Sequence, residues 1–325
     1  MEIKKLRGVK KLCIKYFNPP LYKKYKYLLN EFKERPRRAA VRLREATEKP
    51  EYIFRQKTPL IQHPSLEHPV RPVTSFMHSG NSGDIMYSLP AVFKLAGEGK
   101  VKLYLNIGRQ VSYENYHPLG NVTLNLKMAE MLIPLLLHQP QIESCSIYNK
   151  EHMDYDLDLF RDYSFLIDRG SMSRWYFHVY AISAPLYKPW LKAPEIRGLE
   201  DAIVIARSHR YRNPFIDYSF LSKYSRLIFI GVKEEYDDMK KTLPLLEWRP
   251  VQDFLEMATI INSSRLFIGN QSFPFSIAES LKVNRLLEIY FRIPNVIPEG
   301  PGANDFMYQP QFEASVQRLY NSPFS

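Results

Sequence analysis

"HSGNSGDIMYSLPAV", His78–Val92, follows the short apolar run "VTSFM" (Val73–Met77), and its reading decides the fold. An apolar run that stops at a serine–glycine turn, then resumes as an apolar series with Pro90 near its start, has the form of strand, tight turn and helix. Gly80 and Gly83 permit backbone conformations that other residues resist and let a ligand approach the main chain closely. Asp84 then falls at the mouth of the crevice that a strand end opens. An aspartate in this place commonly caps its own helix; facing a bound hydroxyl, the same carboxylate is a general base.

Working outward, "VKLYLNI" (Val101–Ile107) reads as a second strand. "LNLKMAEMLIPLLLHQ" (Leu124–Gln139) reads as a helix that Pro134 should kink, and "SCSIYN" (Ser144–Asn149) as a further strand. "SRWYFHVYAIS" (Ser173–Ser183) is an aromatic helix of core type. The alternation then restarts. "DAIVIARS" (Asp201–Ser208), "RLIFIG" (Arg226–Gly231), "RLFIG" (Arg265–Gly269) and "RLLEIY" (Arg285–Tyr290) are strands. Between them, "KEEYDDMKK" opens a helix, and "VQDFLEMATIIN" (Val251–Asn262) and "FPFSIAESLKV" (Phe273–Val283) are helices. The pattern predicts an α/β protein of two Rossmann-like doubly wound domains, 73–190 and 191–325. A proline-punctuated linker, 51–72, precedes them.

A chain of 325 residues with 45% hydrophobic and 24% charged side chains has the composition of a globular enzyme. Two cysteines, Cys13 and Cys145, exclude a disulfide scaffold or a four-thiolate zinc site and fit a reducing, cytoplasmic setting. No stretch is apolar for long enough to span a bilayer, and the start lacks the form of a secretory signal. The net charge of +11 is concentrated: residues 1–50 hold 16 Lys and Arg against 5 acids, and the rest is balanced at 29 of each. Leu6, Val9, Cys13 and Phe17 recur at helical spacing in this segment. A basic amphipathic extension of this kind either docks on an anionic inner-membrane surface or packs as a solvated helix. Nucleic acid is not expected as a partner, because no reader motif accompanies the charge.

In open α/β sheets ligands bind beyond the carboxyl ends of the strands. Besides the opening turn, two such ends are equipped. The "ARSHRYRN" loop places Arg207, Ser208, Arg210 and Arg212 after a buried strand, and arginine forks suit phosphate oxygens unless acids in the protein occupy them. In "FIGNQSFPFSIAESL", Asn270, Gln271 and Ser272 precede a helix whose first amides, Phe273 to Ser276, could hold an anion. Ser272 also suits the N-cap and Pro274 the first turn. The chain has no "GxGxxG", "GxxxxGK[ST]" or "GxSxG" motif, and its eight histidines lack metal spacing. The acids of "DYDLDLFRD" (Asp154–Asp162) alternate with apolar residues as on a solvated strand edge, so neither a metal nor another cofactor is expected.

The opening turn resembles the "GD…LPA" motif of the ADP-heptose heptosyltransferases, glycosyltransferase family 9, and "LFIGNQSFPFSIAESL" resembles that family's "IGNDSG…HLAAAL" donor motif. The likeness runs from about Thr74 to Tyr290. It implies a GT-B fold, with an acceptor domain and a nucleotide-sugar domain facing a cleft. It also implies an inverting, metal-independent transfer of a sugar from a nucleotide sugar to a glycan or lipid-linked acceptor. By that resemblance Asp84 is the catalytic base, and His78, Gly80, Asn81 and Gly83 form the acceptor loop. Arg207 stands near the family's phosphate-binding lysine and Glu234 or Glu235 near its nucleotide-contacting glutamate. Gly231, Ser208, Arg210, Arg212, Asn270, Gln271, Ser272 and Ser276 complete the donor site. Gln271, Phe273 and Ser276 depart from the family's Asp, Gly and His, so the resemblance does not carry the sugar across. A sugar-nucleotide epimerase or hydrolase and a non-catalytic nucleotide-binding module are the competing classes.

Overall fold

The structure is a computed structural model that describes residues 68–111, 121–161 and 167–321, together with 15–17, 19, 21–22 and 25–26. The chain divides into Met1–His63 and Pro64–Ser325. The basic extension of residues 1–50 and the linker up to residue 67 therefore lie outside the described residues, save for those few positions.

Within Pro64–Ser325, strands β1 (Val73–His78), β2 (Lys100–Leu105), β3 (Ile142–Ile147) and β4 (Tyr155–Asp156) form one sheet in the order β3-β2-β1-β4. Strands β5 (Ile203–Ala206), β6 (Leu227–Phe229), β7 (Glu247–Trp248), β8 (Leu266–Asn270), β9 (Arg285–Glu288) and β10 (Ala303–Phe306) form a second, ordered β10-β9-β8-β5-β6-β7. All the named pairings are parallel. In each sheet the chain works outward from a first strand, then returns to its other side. The order therefore reverses between β1 and β4 and again between β5 and β8, and such switch points are where a crevice opens.

The helices are α1 (Ser82–Ala96), α2 (Leu126–Leu137), α3 (Met172–Tyr180), α4 (Lys233–Thr242), α5 (Phe254–Asn262), α6 (Phe273–Leu281) and α7 (Gln309–Asn321). Helix α1 tolerates Pro90 and α2 runs on through Pro134. One apolar core joins the two sheets: Phe76, Ile85, Leu89 and Leu135 from the first half share it with Val204, Ala258, Phe275 and Leu287 from the second. Helix α1 packs on α6, and α2 on α5, across that core. The outer face of the second sheet uses the alternate residues, Ile203, Ile205, Leu266 and Ile268, against Phe312 and Val316 of α7. Strand runs that are apolar throughout, such as "IVIA", fit sheets covered on both faces. Among the described residues, no helix is long and apolar enough to cross a membrane.

The segment 154–161 is not a solvated edge, and Asp162 lies outside the described residues. Strand β4 takes only Tyr155 and Asp156, pairing with Phe76 and Met77, and a 3₁₀ turn, Leu157–Arg161, follows at the switch point. Leu157 and Phe160 enter the core, and this throws Asp158 and Arg161 toward the end of β1.

Candidate functional site

The two switch points open on one cleft of about 600 Å³. From the first half it is walled by the start of α1 (Asn81 to Asp84) and by Lys127, Met128 and Met131 of α2. From the second half come Ser208, Arg210 and Tyr211 after β5, Gly231 and Glu235 at α4, and Gln271 to Pro274 at α6. The two walls approach closely: a side chain at Gly83 would come within 4.0 Å of Phe273 Cα and 3.9 Å of Ser276 Oγ.

Asp84 is the third residue of α1. Its Oδ2 accepts from the Asn81 backbone N–H at 3.1 Å, and the Asn81 side chain reciprocates in a capping box. The same oxygen also accepts from Arg161 Nη2 at 3.1 Å. The side chain is 18% exposed. Burial pushes its pKa upward, and the Arg161 guanidinium and the Asn81 N–H oppose that rise. Arg161 lies on the ring of Phe160 at 4.3 Å and is flanked by Asp158, whose Oδ1 is 3.6 Å from Nη1. Asp158 in turn accepts from the backbone and the hydroxyl of Ser79.

His78 is not an accessible loop residue. It is the last residue of β1 and fully buried, and it does not line the cleft. The Gly80 N–H donates to its Nδ1 at 2.8 Å, so Nδ1 is the unprotonated nitrogen and the proton sits on Nε2. Nε2 then donates to Tyr176 Oη at 2.7 Å, and Tyr176 donates to the Asp84 carbonyl at 3.4 Å. Burial holds the imidazole well below its usual range, against the pull of Asp158, so the ring is neutral. Gly80 and Gly83 are not among the glycines with positive φ. Gly80 is required for space instead: a Cβ there would lie 2.5 Å from His78 Cε1 and 2.8 Å from Arg161 Nη2.

The second half corrects more of the sequence reading. Arg207 reaches the cleft wall, yet its guanidinium grips Glu288 in a fork, Nε to Oε2 at 2.6 Å and Nη2 to Oε1 at 2.8 Å. Glu288 is fully buried and also accepts from Tyr218 Oη and the Asn213 N–H. Arg207 is therefore committed to an internal pair rather than offered to a phosphate. Arg212 is likewise paired, with Asp238 on α4, and lies off the cleft. Asn270 is buried and clasps Ser208 from both sides, its Oδ1 accepting from the Ser208 N–H at 3.1 Å and its Nδ2 donating to the Ser208 carbonyl at 2.7 Å. Gln271 is engaged through both ends of its amide, with the Tyr290 N–H at 2.6 Å and with Asn295 Oδ1 at 3.2 Å. It braces the loop that brings Asn295 and Val296 to the cleft.

The start of α6 offers fewer amides than its sequence implies. Pro274 has none, the Phe275 N–H is taken by the Ser272 carbonyl at 3.0 Å, and the Ser272 N–H by the Asn270 carbonyl at 2.6 Å. Ser276 is buried and its hydroxyl donates to the Phe273 carbonyl, so it does not face a ligand. Of the two glutamates, Glu235 lines the cleft and Glu234 does not. Burial raises the Glu235 pKa, opposed by the His209 N–H on Oε1 at 3.2 Å. Gly231 does need its residue type, with φ at 144° and Phe229 3.1 Å from where a Cβ would sit. Lys127, Arg210 and Lys233 bring the remaining positive charge to the walls. Among the described residues, no group of three or more His, Cys, Asp or Glu side chains is placed to hold a metal ion.

The sequence reading passed over Asp158, Arg161 and Tyr176. Its one available signal was "DLDLFRD", in which Asp158 and Arg161 stand three residues apart.

No known family model and no curated protein sequence matches this chain. Its fold is similar to that of the ADP-heptose lipopolysaccharide heptosyltransferase II of E. coli, with a TM-score of 0.52 and 11% identity over 77% of this chain and 98% of that one. The glycosyltransferase family 9 structure from Veillonella parvula DSM 2008 aligns with a TM-score of 0.48 and 11% identity, over 79% of this chain and 91% of its own. E. coli heptosyltransferase WaaC, solved with ADP, aligns at 0.48 and 9%, over 76% and 99%. At such identities the likeness is one of fold.

Proposed function

We propose that the chain is an inverting glycosyltransferase that takes its sugar from a nucleotide-sugar donor without a metal. The observation that carries this reading is the placement of the Asp84 carboxylate, partly buried and cation-paired, on one wall of a cleft. The opposite wall is built from loops after β5 and β8, the switch point of a nucleotide-type sheet. In the transfer, Asp84 accepts the proton of an acceptor hydroxyl as its oxygen bonds to the anomeric carbon. The bond from that carbon to the diphosphate breaks, and the electron pair leaves on the phosphate oxygen. Arg210, with the Phe273 amide, meets the developing charge in place of Arg207 and Arg212; Lys233, also on the wall, is paired with Asp237. Glu235 is suited to ribose hydroxyls. ADP-heptose, the sugar nucleotide in the name of the similar E. coli heptosyltransferase II, is the first donor to try.

Asp84→Asn keeps the capping geometry and removes the base. Transfer should fall by about 10²–10⁴-fold with the circular dichroism spectrum unchanged. A variant as fast as the parent removes the base from Asp84. Nucleotide release at full rate without any acceptor would mark a hydrolase instead.

We further propose that residues 1–50, with their 16 basic side chains, hold the enzyme at an anionic membrane surface, where a lipid-linked glycan acceptor is met. Flotation with acidic-phospholipid vesicles should capture the full chain and lose it when residues 1–50 are removed; equal capture overturns the docking role.

A further inference from the structure

The cleft's carboxylate has a partner that neither the motifs nor the fold comparison assigns. Asp84 is reached by charge from several elements. From the 3₁₀ turn come Arg161 and Asp158, one attracting and one repelling. His78 at the end of β1 is neutral and turned away, engaged with Gly80 and Tyr176. Tyr176 on α3 meets the backbone of Asp84 rather than its carboxylate. Tyr87, one turn along α1, and Tyr211, after β5, are uncharged phenols in its field, their own ionisation made harder by burial. Arg109 touches Ser79 at 3.2 Å and lies 3.6 Å from Asp158, so it serves that acid. Burial and a second acid close by both push a carboxylate toward its protonated form, and an adjacent cation opposes them. Arg161 is the group that provides one.

We propose that Arg161 is the positioning residue of this site, holding the Asp84 carboxylate ionised and aimed along one oxygen, with Asp158 and the Phe160 ring fixing the guanidinium in place. Three contacts carry the assignment. Nη2 donates to Asp84 Oδ2 at 3.1 Å, leaving Oδ1 for another partner. The guanidinium carbon rests 4.3 Å from the centre of the Phe160 ring, which fixes the plane of the fork. Nη1 is buried and makes no hydrogen bond, only the 3.6 Å ion contact with Asp158. A buried arginine nitrogen left without a hydrogen-bond acceptor is costly, and the ion contacts of the same guanidinium with Asp84 and Asp158 offset that cost. Gly80 belongs to the same device, since any side chain there would displace Arg161 Nη2.

The proposal goes beyond the base assignment and is tested separately from it. In full-length protein carrying ¹³C-labelled aspartate carboxyls, the Asp84 resonance, assigned by its loss in Asp84→Asn, is followed against pH. Arg161→Gln should move the Asp84 midpoint upward by about one to three pH units, the size expected when a paired arginine is removed. Arg161→Lys should restore a large part of that shift. An unchanged midpoint in Arg161→Gln, with thermal unfolding like the parent, overturns the proposal, as does a lysine variant no closer to the parent than glutamine. If Arg161→Gln does not fold, the lysine variant alone decides: a midpoint and signal width equal to the parent's support a charge role, and a midpoint raised as far as an unpaired buried acid overturns it. None of these outcomes depends on transfer activity, so a failure of the base assignment leaves them readable. In the active enzyme the acid limb of the rate profile should move up with the midpoint, because activity needs the ionised form.

Discussion

The ends of the two sheets both carry charged side chains and use them in opposite ways. At the β1/β4 end, Arg161 faces Asp84, a carboxylate that also lines the cleft. At the β5/β8 end, Arg207 faces Glu288, an acid with no exposure at all, and Arg212 faces Asp238 beside α4. These pairs shape loops and leave little charge for a ligand. A charged residue beyond a strand end is thus not a ligand residue by position alone; the partner on its far side decides.

The largest effect that would sharpen this contrast lies in the Glu288 knot. Glu288→Gln removes the acid that receives Arg207, Tyr218 and the Asn213 N–H, and strands a buried guanidinium. Chemical denaturation should show a loss of about 3–5 kcal/mol. A variant as stable as the parent would break the claim that Arg207 is internal. At the other end, Gly80→Ala forces a methyl against His78, Arg161 and Asp84, and a loss of about 1–3 kcal/mol is expected, accompanied by lost transfer activity. Full activity would show that Asp84 does not depend on that packing. The smallest effect belongs to Asp238, 38% exposed, whose pairing with Arg212 is screened by water. Asp238→Asn should change stability by less than about 1 kcal/mol, measured in the same denaturation series.

Much of the architecture was legible because each sheet is covered on both faces. Continuous apolar runs such as "IVIA" and "LFIG" have few readings other than buried parallel strands. The strands β4, β7 and β10 and helix α7 escaped, since "YD", "EW" and "ANDF" contain no continuous apolar run and α7 lies beyond the motifs. At the site, Asp84 was legible through its turn. The fates of Arg207, Arg212, Asn270, Gln271 and Ser276 were not, because which acid, carbonyl or amide occupies a polar side chain depends on strand order. The register sets Asn270 beside Glu288 and Ala206 beside Gly269, so Arg207 meets an acid 81 residues away. One hint was present: a lone glutamate inside "RLLEIY" demands a buried counter-charge. Arg161 and Asp158 were missed because an alternation of acids and apolar residues that looks like an edge strand became a 3₁₀ turn once Leu157 and Phe160 found the core.

The Asn270 side chain copies a peptide group: it receives from the N–H and gives to the carbonyl of Ser208. It thereby adds a rung to the ladder between β5 and β8 one step past Ala206 and Gly269, where the main chains must part to make a crevice. The seam is stitched shut at its lip, so the floor of the cleft is already set before any ligand arrives. Little freedom then remains there to be frozen on binding. Any adaptation to different guests falls to the rim of the cleft instead.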